Sequence, residues 1–86
     1  MRPFPLKIVT PDGIVFEGQI ESLTVRTSSG DLGILAGHIN LVAPLGQGQC
    51  NIVIDGNRRK GFCSAGMLTV LNGQAAIITA RFIWNE

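Results

Sequence analysis

Apolar and polar positions alternate with a period of two through most of this chain. Phe4, Leu6 and Ile8 fall on one side and Lys7 on the other, the pattern of a half-buried strand. Pro11-Asp12-Gly13 then marks a turn, because proline presets φ and an Asp-Gly pair tolerates the left-handed region. Ile14 and Phe16 against Glu17 begin a second strand, closed by Gly18. Ile20 to Thr27 forms a third, with Leu23 and Val25 facing one way and Thr24 and Arg26 the other. Further on, Gly46-Gln47-Gly48 breaks the chain, and Gln49 to Ile54 resumes a strand with Ile52 and Ile54 on one face. Asp55-Gly56-Asn57 is a hairpin turn leading into Arg58 to Ser64, and Gly66 precedes a strand over Met67 to Leu71. Asn72-Gly73 is the strongest hairpin signal, since a type I′ turn needs positive φ at both central positions; Gln74 to Arg81 completes that pair.

No stretch sustains helical periodicity for ten residues. The pattern predicts an all-β fold, an antiparallel β-sandwich or flattened barrel of about eight to ten short strands, which shields strand edges in so short a chain. One domain, residues 1–86, accounts for all of it. A chain of this size buries roughly 60–65% of its extended surface on folding, enough for a single modest core.

Gly30 to Pro44 breaks the alternation. It holds three of the eleven glycines, the only histidine and Asp31 close behind Gly30. Glycines at 30, 33 and 37 suit an ordered loop wrapping across a sheet, pinned by the apolar residues between them.

Composition narrows the class. Apolar residues make up 45% and charged residues 15%, which is globular, and a net charge of +1 lacks the footprint of a nucleic-acid binder. The one basic cluster, Arg58-Arg59-Lys60, reads as a solvated hairpin tip or edge strand guarded by charge. Its sharper reading is a phosphate or acidic-partner contact. No apolar run of about 18 residues is present for a membrane-spanning helix, and Met1 to Pro5 carries no apolar core of a signal peptide. Cys50 and Cys63 read as buried free thiols in a reducing compartment.

Enzymatic chemistry lacks its partners. His38 stands alone, with no Ser, Cys or carboxylate placed beside it by a recognised motif. Gly61 to Gly66 does not have the glycine spacing of a nucleophile elbow. Gly46-Gln47-Gly48 has Asn51 where a dinucleotide fingerprint needs glycine, and no Walker lysine, Cys-x-x-Cys or histidine pair occurs. The sequence therefore calls for no cofactor and no metal. The rival binding function is a free-standing small β-barrel for an oligonucleotide or small ligand. The lack of tyrosine and the core-like register of most phenylalanines weigh against it.

Gly-Asp-Leu-Gly-Ile-Leu from Gly30, Gly37-His38 and the Leu41-Val42-Ala43-Pro44-Leu45 run together resemble the signature of the epsilon subunit of bacterial and chloroplast-type F-type ATP synthase. Leu6 to Gly18 is similar to that family's N-terminus and Leu68 to Ala80 to its closing hairpin, so the likeness covers essentially the whole chain. The resemblance implies the N-terminal β-sandwich domain of a non-catalytic rotor subunit. Such a subunit binds gamma with one side and the polar loops of the c-ring with its lower loops, and passes ion-driven rotation to gamma and to ATP synthesis. It implies a place in the F1 sector, peripheral on the cytoplasmic face of the membrane, touching the membrane only through the c-ring.

Carried residue by residue, Asp31 matches the acidic position that faces the c-ring in the family, with a turn-capping aspartate as its other reading. His38, Thr10, Val42 and Ala43 match positions on or beside the gamma surface, while Leu32, Ile34 and Leu41 belong to the core. Ala36 replaces a proline and Ile39-Asn40 replaces Ala-Pro, so the loop is expected to be less rigid than the family's. Phe82 to Glu86 falls where the family's C-terminal helical hairpin begins. That hairpin is not in this sequence, either because the chain was cut at the domain boundary or because the form is naturally short. The 86 residues are expected neither to bind nucleotide nor to inhibit ATP hydrolysis.

Overall fold

The computed structural model describes residues 2–85, and these residues form strands and turns without a helix. The strands are β1 (Phe4–Thr10), β2 (Gly13–Ile20), β3 (Ser22–Thr27), β4 (Gly30–Ile34), β5 (Leu41–Leu45), β6 (Gly48–Ile54), β7 (Asn57–Cys63), β8 (Gly66–Leu71), β9 (Gln74–Thr79) and β10 (Phe82–Trp84). Their order is β10-β7-β6-β3-β5-β8-β9-β1-β2, with β4 on β3. This is a sandwich of two halves, β10-β7-β6-β3-β4 and β5-β8-β9-β1-β2. A single bridge, Thr27 opposite Leu45, connects the two ladders, supported by the Gly46 amide donating to the Arg26 carbonyl at 3.1 Å. All pairs are antiparallel except β1 with β9, which runs parallel from Leu6 opposite Ala75 to Val9 opposite Ile78.

The period-two pattern decides which side chains meet in the core. Phe4, Leu6 and Ile8 enter it from β1, Leu23 and Val25 from β3, and Leu68, Val70 and Ile77 from β8 and β9, all nearly or wholly buried. Both Asx-Gly hairpins take the backbone their sequence demands. Asp55-Gly56 has φ of 50° and 78°, and Asn72-Gly73 has 52° and 79°, which is the left-handed pair of a type I′ turn.

Two expectations from the sequence are corrected. Gly30 to Pro44 is not one loop: β4 pairs with β3 over five positions, β5 pairs with β8 over five, and only residues 35–40 connect them. Leu32 and Ile34 do alternate inward, but Gly33 between them carries no polar side chain to announce it. The basic cluster follows the Asp55-Gly56 turn on β7, and β10 pairs with the next stretch, Gly61 to Cys63, beyond which the Asn85 amide donates to the Lys60 carbonyl at 2.9 Å. Arg58 and Lys60 point to solvent, whereas the Arg59 guanidinium lies 3.8 Å from the Trp84 ring centroid. Phe82 to Trp84 is itself a strand, and Trp84 meets Phe16 and Phe82 edge-on at 6.0 and 4.9 Å, fastening β10 to β7 and toward β2.

One pole of the sandwich is tied by hydroxyls. The Arg81 amide donates to Ser64 Oγ at 3.0 Å, Thr79 Oγ1 donates to the Ser64 carbonyl at 2.9 Å, and with that proton so engaged Ser64 Oγ donates to Thr79 Oγ1 at 2.9 Å. Thr79 is buried, so this chain joins the β7–β8 and β9–β10 connections with no help from solvent. Thr79→Val keeps the shape and deletes the bonds. It is expected to lower unfolding free energy by about 1–3 kcal/mol, read as a lower urea midpoint at unchanged m-value.

Candidate interaction surface

Register carries exposed apolar side chains into a row. On β5, Pro44 stands opposite Met67 of β8; Met67 stands opposite Ile78 of β9. Ile78 in turn stands opposite Val9 of β1, and Val9 opposite Ile14 of β2, where a bulge shifts the register after Ile8. Paired residues share a face, so Pro44, Met67, Ile78, Val9 and Ile14 cross five strands on the outer side of one sheet. Ile78 is 57% exposed and Ile14 56%. A second row beside it runs through Val42, Thr69, Ala76, Lys7 and Glu17. It begins with Val42, 61% exposed, and ends in a Lys7–Glu17 ion pair at 3.7 Å. Single exposed apolar residues are ordinary, but a contiguous apolar strip is the mark of a contact surface.

Thr10 and Val42 belong to this face. Thr10 lies in a shallow depression with Val9, Pro11, Met67 and Ile78. Its hydroxyl is engaged locally, accepting from the Asp12 amide at 3.2 Å and donating to the Gly13 carbonyl at 3.4 Å. Ala43 is buried beneath the surface and supports Val42 from below.

His38 sits at the pole opposite Thr10. Residues 35–40 leave β4 at one pole, and Leu41 enters β5 opposite Val70, whereas Thr10 is beside the Gly66 and Thr79 end. The His38 amide donates to the Leu35 carbonyl at 3.2 Å, and its Nδ1 meets the Ile39 carbonyl at 2.8 Å, so in that contact Nδ1 carries the proton. Gly37 turns the connection with φ of 80°, and Asn40 Oδ1 accepts from the Asn72 amide at 2.9 Å. The latter bond ties the connection to the β8–β9 hairpin tip.

Asp31 is not a turn cap. Thr27 does that work, its Oγ1 accepting from the Ser29 amide at 3.1 Å and donating to the Gly30 carbonyl at 2.7 Å. Asp31 instead pairs with Arg26 on β3, Nε to Oδ1 at 3.1 Å, with both side chains more than half exposed. It lines a groove with Ser28, Ser29, Leu32, Val42 and Pro44. The structure therefore brings Asp31 and Val42 to one groove and Val42 and Thr10 to one face, and it leaves His38 at the opposite pole from Thr10. Among the described residues no group of three or more His, Cys, Asp and Glu could hold a metal ion.

The sequence reading missed Met67, Ile78, Ile14, Val9 and Pro44. Their signal was available in Met67-Leu68 and Ala75-Ala76-Ile77-Ile78, which are apolar on both faces, the pattern of strands covered on both sides.

Residues 3–85 match the family model described as ATP synthase, Delta/Epsilon chain, beta-sandwich domain. The chain belongs to this family. Among curated relatives, the ATP synthase epsilon chain of Bacillus velezensis is 45% identical over 78 residues, covering 91% of this chain and 59% of the relative. That of Caldicellulosiruptor bescii is 34% identical over 86 residues, covering 100% and 63%. The chain thus spans about three fifths of the length of these relatives. A chain in the cryo-EM structure of the Euglena gracilis mitochondrial ATP synthase, OSCP/F1/c-ring, superimposes with a TM-score of 0.90 at 25% identity, over 95% of this chain and 53% of that one. A chain of the Tetrahymena thermophila mitochondrial ATP synthase central stalk and c-ring has a TM-score of 0.79 at 16% identity, over 92% and 64%, and shares the fold. The family's beta-sandwich domain is the all-β sandwich built above, strand by strand, from the pairing registers.

Proposed function

We propose that this domain is a non-catalytic part of the central rotor of an F-type ATP synthase. It couples rotation of the c-ring, driven by an ion gradient, to the gamma subunit and so to ATP synthesis. The observation that carries this reading is the apolar row from Pro44 to Ile14. A chain so small does not keep a five-strand apolar strip in water without a partner to cover it. Gamma takes this face, with Thr10 and Val42 on it and His38 at its border. Asp31, at the pole where the β3–β4 turn projects, faces the polar loops of the c-ring. The domain then works in the F1 sector, peripheral on the cytoplasmic face of the membrane.

The coupling asks for stiffness more than chemistry. Cross-strand ladders, two type I′ hairpins and the Thr79 hydroxyl chain supply it. The test is co-purification of the chain with the gamma subunit of the same organism, wild type against His38→Glu. A one-to-one complex weakened by the variant, with the thermal midpoint unchanged, supports the assignment. No complex at micromolar concentration removes the gamma reading and favours a free-standing binding module.

A further inference from the structure

The two Asx-Gly hairpins share a backbone but not their surroundings. At the β6–β7 turn the Gly56 amide donates to Glu21 Oε1 at 2.8 Å, which holds the peptide between Asp55 and Gly56. At the β8–β9 turn the Gly73 amide donates to no acceptor among the described residues, and a Cβ built on Gly73 would meet nothing within 4 Å. Asn72 is exposed, with φ of 52°. Its own amide is the tied one, donating to Asn40 Oδ1 at 2.9 Å. The peptide plane between Asn72 and Gly73 is therefore free to turn.

Turning that plane changes one kind of hairpin turn into the other. Type I′ and type II′ both match the twist of the flanking strands, so β8 and β9 need not move. Both keep the first central residue at φ of about +60°, but type II′ takes its ψ to about −120° and the next φ to a negative value, which glycine adopts freely. With ψ there, the Gly73 nitrogen eclipses the Asn72 Cβ, and the side-chain Cγ can close on it as a five-membered ring. Asn40, Asn51 and Asn57 lack this freedom. Asn51 and Asn57 are held in the ladder of β6 and β7, and Asn40 precedes Leu41, whose branched side chain crowds the attacking nitrogen.

We propose that Asn72-Gly73 is a site of spontaneous modification by water, converting Asn72 to isoaspartate and aspartate, and that isoaspartate there releases residues 35–40 from the hairpin tip. In the first step the Gly73 amide gives its proton to hydroxide, and the nitrogen attacks Cγ of Asn72. The bond from Cγ to the side-chain nitrogen breaks, and that nitrogen takes a proton from water and leaves as ammonia, which closes a succinimide and restores the hydroxide. In the second step water adds to one of the two ring carbonyls, and the bond from that carbon to the Gly73 nitrogen breaks. Opening at Cγ leaves aspartate. Opening at the Asn72 carbonyl carbon leaves isoaspartate, whose backbone runs through Cβ and Cγ, one methylene longer, beside a free α-carboxylate. A two-residue turn cannot keep type I′ geometry with that extra atom. The Asn72 amide then moves off Asn40 Oδ1, and the connection that carries His38 loses its tie.

The test holds the folded chain at mildly alkaline pH and follows its peptides by mass and chromatography, beside the urea-unfolded chain. The expected result is first-order loss of Asn72 in the folded chain, with isoaspartate and aspartate as products, while Asn40, Asn51 and Asn57 persist and Asp55 does not isomerise. Amide exchange over residues 35–40 then quickens by about fivefold in the isoaspartate form, as the loss of one hydrogen bond of roughly 1 kcal/mol implies. In Asn72→Asp it stays at the wild-type rate, because that variant has the charge without the added methylene and keeps an Asp-Gly turn like Asp55-Gly56. Three results overturn the proposal: Asn72 intact in the folded chain under conditions that convert the unfolded one, earlier loss of another asparagine, or equal exchange over residues 35–40 in the isoaspartate form and in Asn72→Asp.

Discussion

With gamma on the apolar row as proposed, Ile78→Asp is expected to weaken capture by that subunit by about thirtyfold or more, the roughly 2 kcal/mol expected when a central interface residue is lost. Ile78 stands in the middle of the apolar row, between Met67 and Val9, and is 57% exposed, so the carboxylate has room in the free domain but would be buried against a partner. Burying it unpaired adds a desolvation cost to the lost apolar contact. Folding is nearly spared, because a substitution on the solvent side of a strand changes stability by about 1 kcal/mol at most. A control comes from the opposite sheet: Lys60→Asp, exposed on β7, should leave capture unchanged. Titration calorimetry or surface capture of both variants, with urea melts alongside, checks the pair. Equal weakening by the two would mean that charge, not the apolar row, governs binding.

Gly66→Ala is expected to be the most damaging single methyl in the fold. A Cβ at Gly66 would fall inside van der Waals contact of the Ile78 carbonyl oxygen, with the Thr79 Cα at 2.9 Å. Both neighbours are backbone of β9, held in register by β8 on one side and β1 on the other, so no side chain can swing away. Overpacking against a rigid neighbour costs about 1–3 kcal/mol and more where nothing yields. The whole domain has about 4–13 kcal/mol by its length. The loss should appear as a large fall in the urea midpoint, and it should exceed that of Thr79→Val, which removes bonds at the same pole without forcing the strands apart. A midpoint within error of the wild type would mean that β8 and β9 can slide apart at this point.

Local chemistry was readable where the chain spoke for itself. Asn72-Gly73 and Asp55-Gly56 dictate their turns through positive φ alone, and Leu6, Ile8, Leu23 and Val25 mark core faces by alternation. The glycine-rich centre misled because Gly30 removes an inward side chain and Gly33 an outward one from the pattern; β4 exists there through its partner β3, which supplies the missing order. The apolar row could not be read along the chain, since its five members come from five strands and meet only through register. Asp31 stood out by its setting among glycines, but its partner Arg26 lies across a hairpin whose turn is capped by Thr27. His38 and Thr10 stand at opposite poles, a separation fixed by the direction of β1 and β5 and invisible to their spacing in sequence.

The parallel pairing of β1 with β9 also sets the order of events on the ribosome. Leu6 and Ala75 are neighbours in space yet almost the whole chain apart, and β9 is the central support for β1. Until residues 74–79 have emerged, β1 and β2 exist as a lone two-stranded ribbon, which is marginal in water. Closure of so long a loop is slow, in the millisecond-to-second range typical of β topologies rich in distant contacts. The first strand synthesised is thus among the last to find its place, and nascent chains of this domain stay open to chaperones and proteases until β9 has emerged.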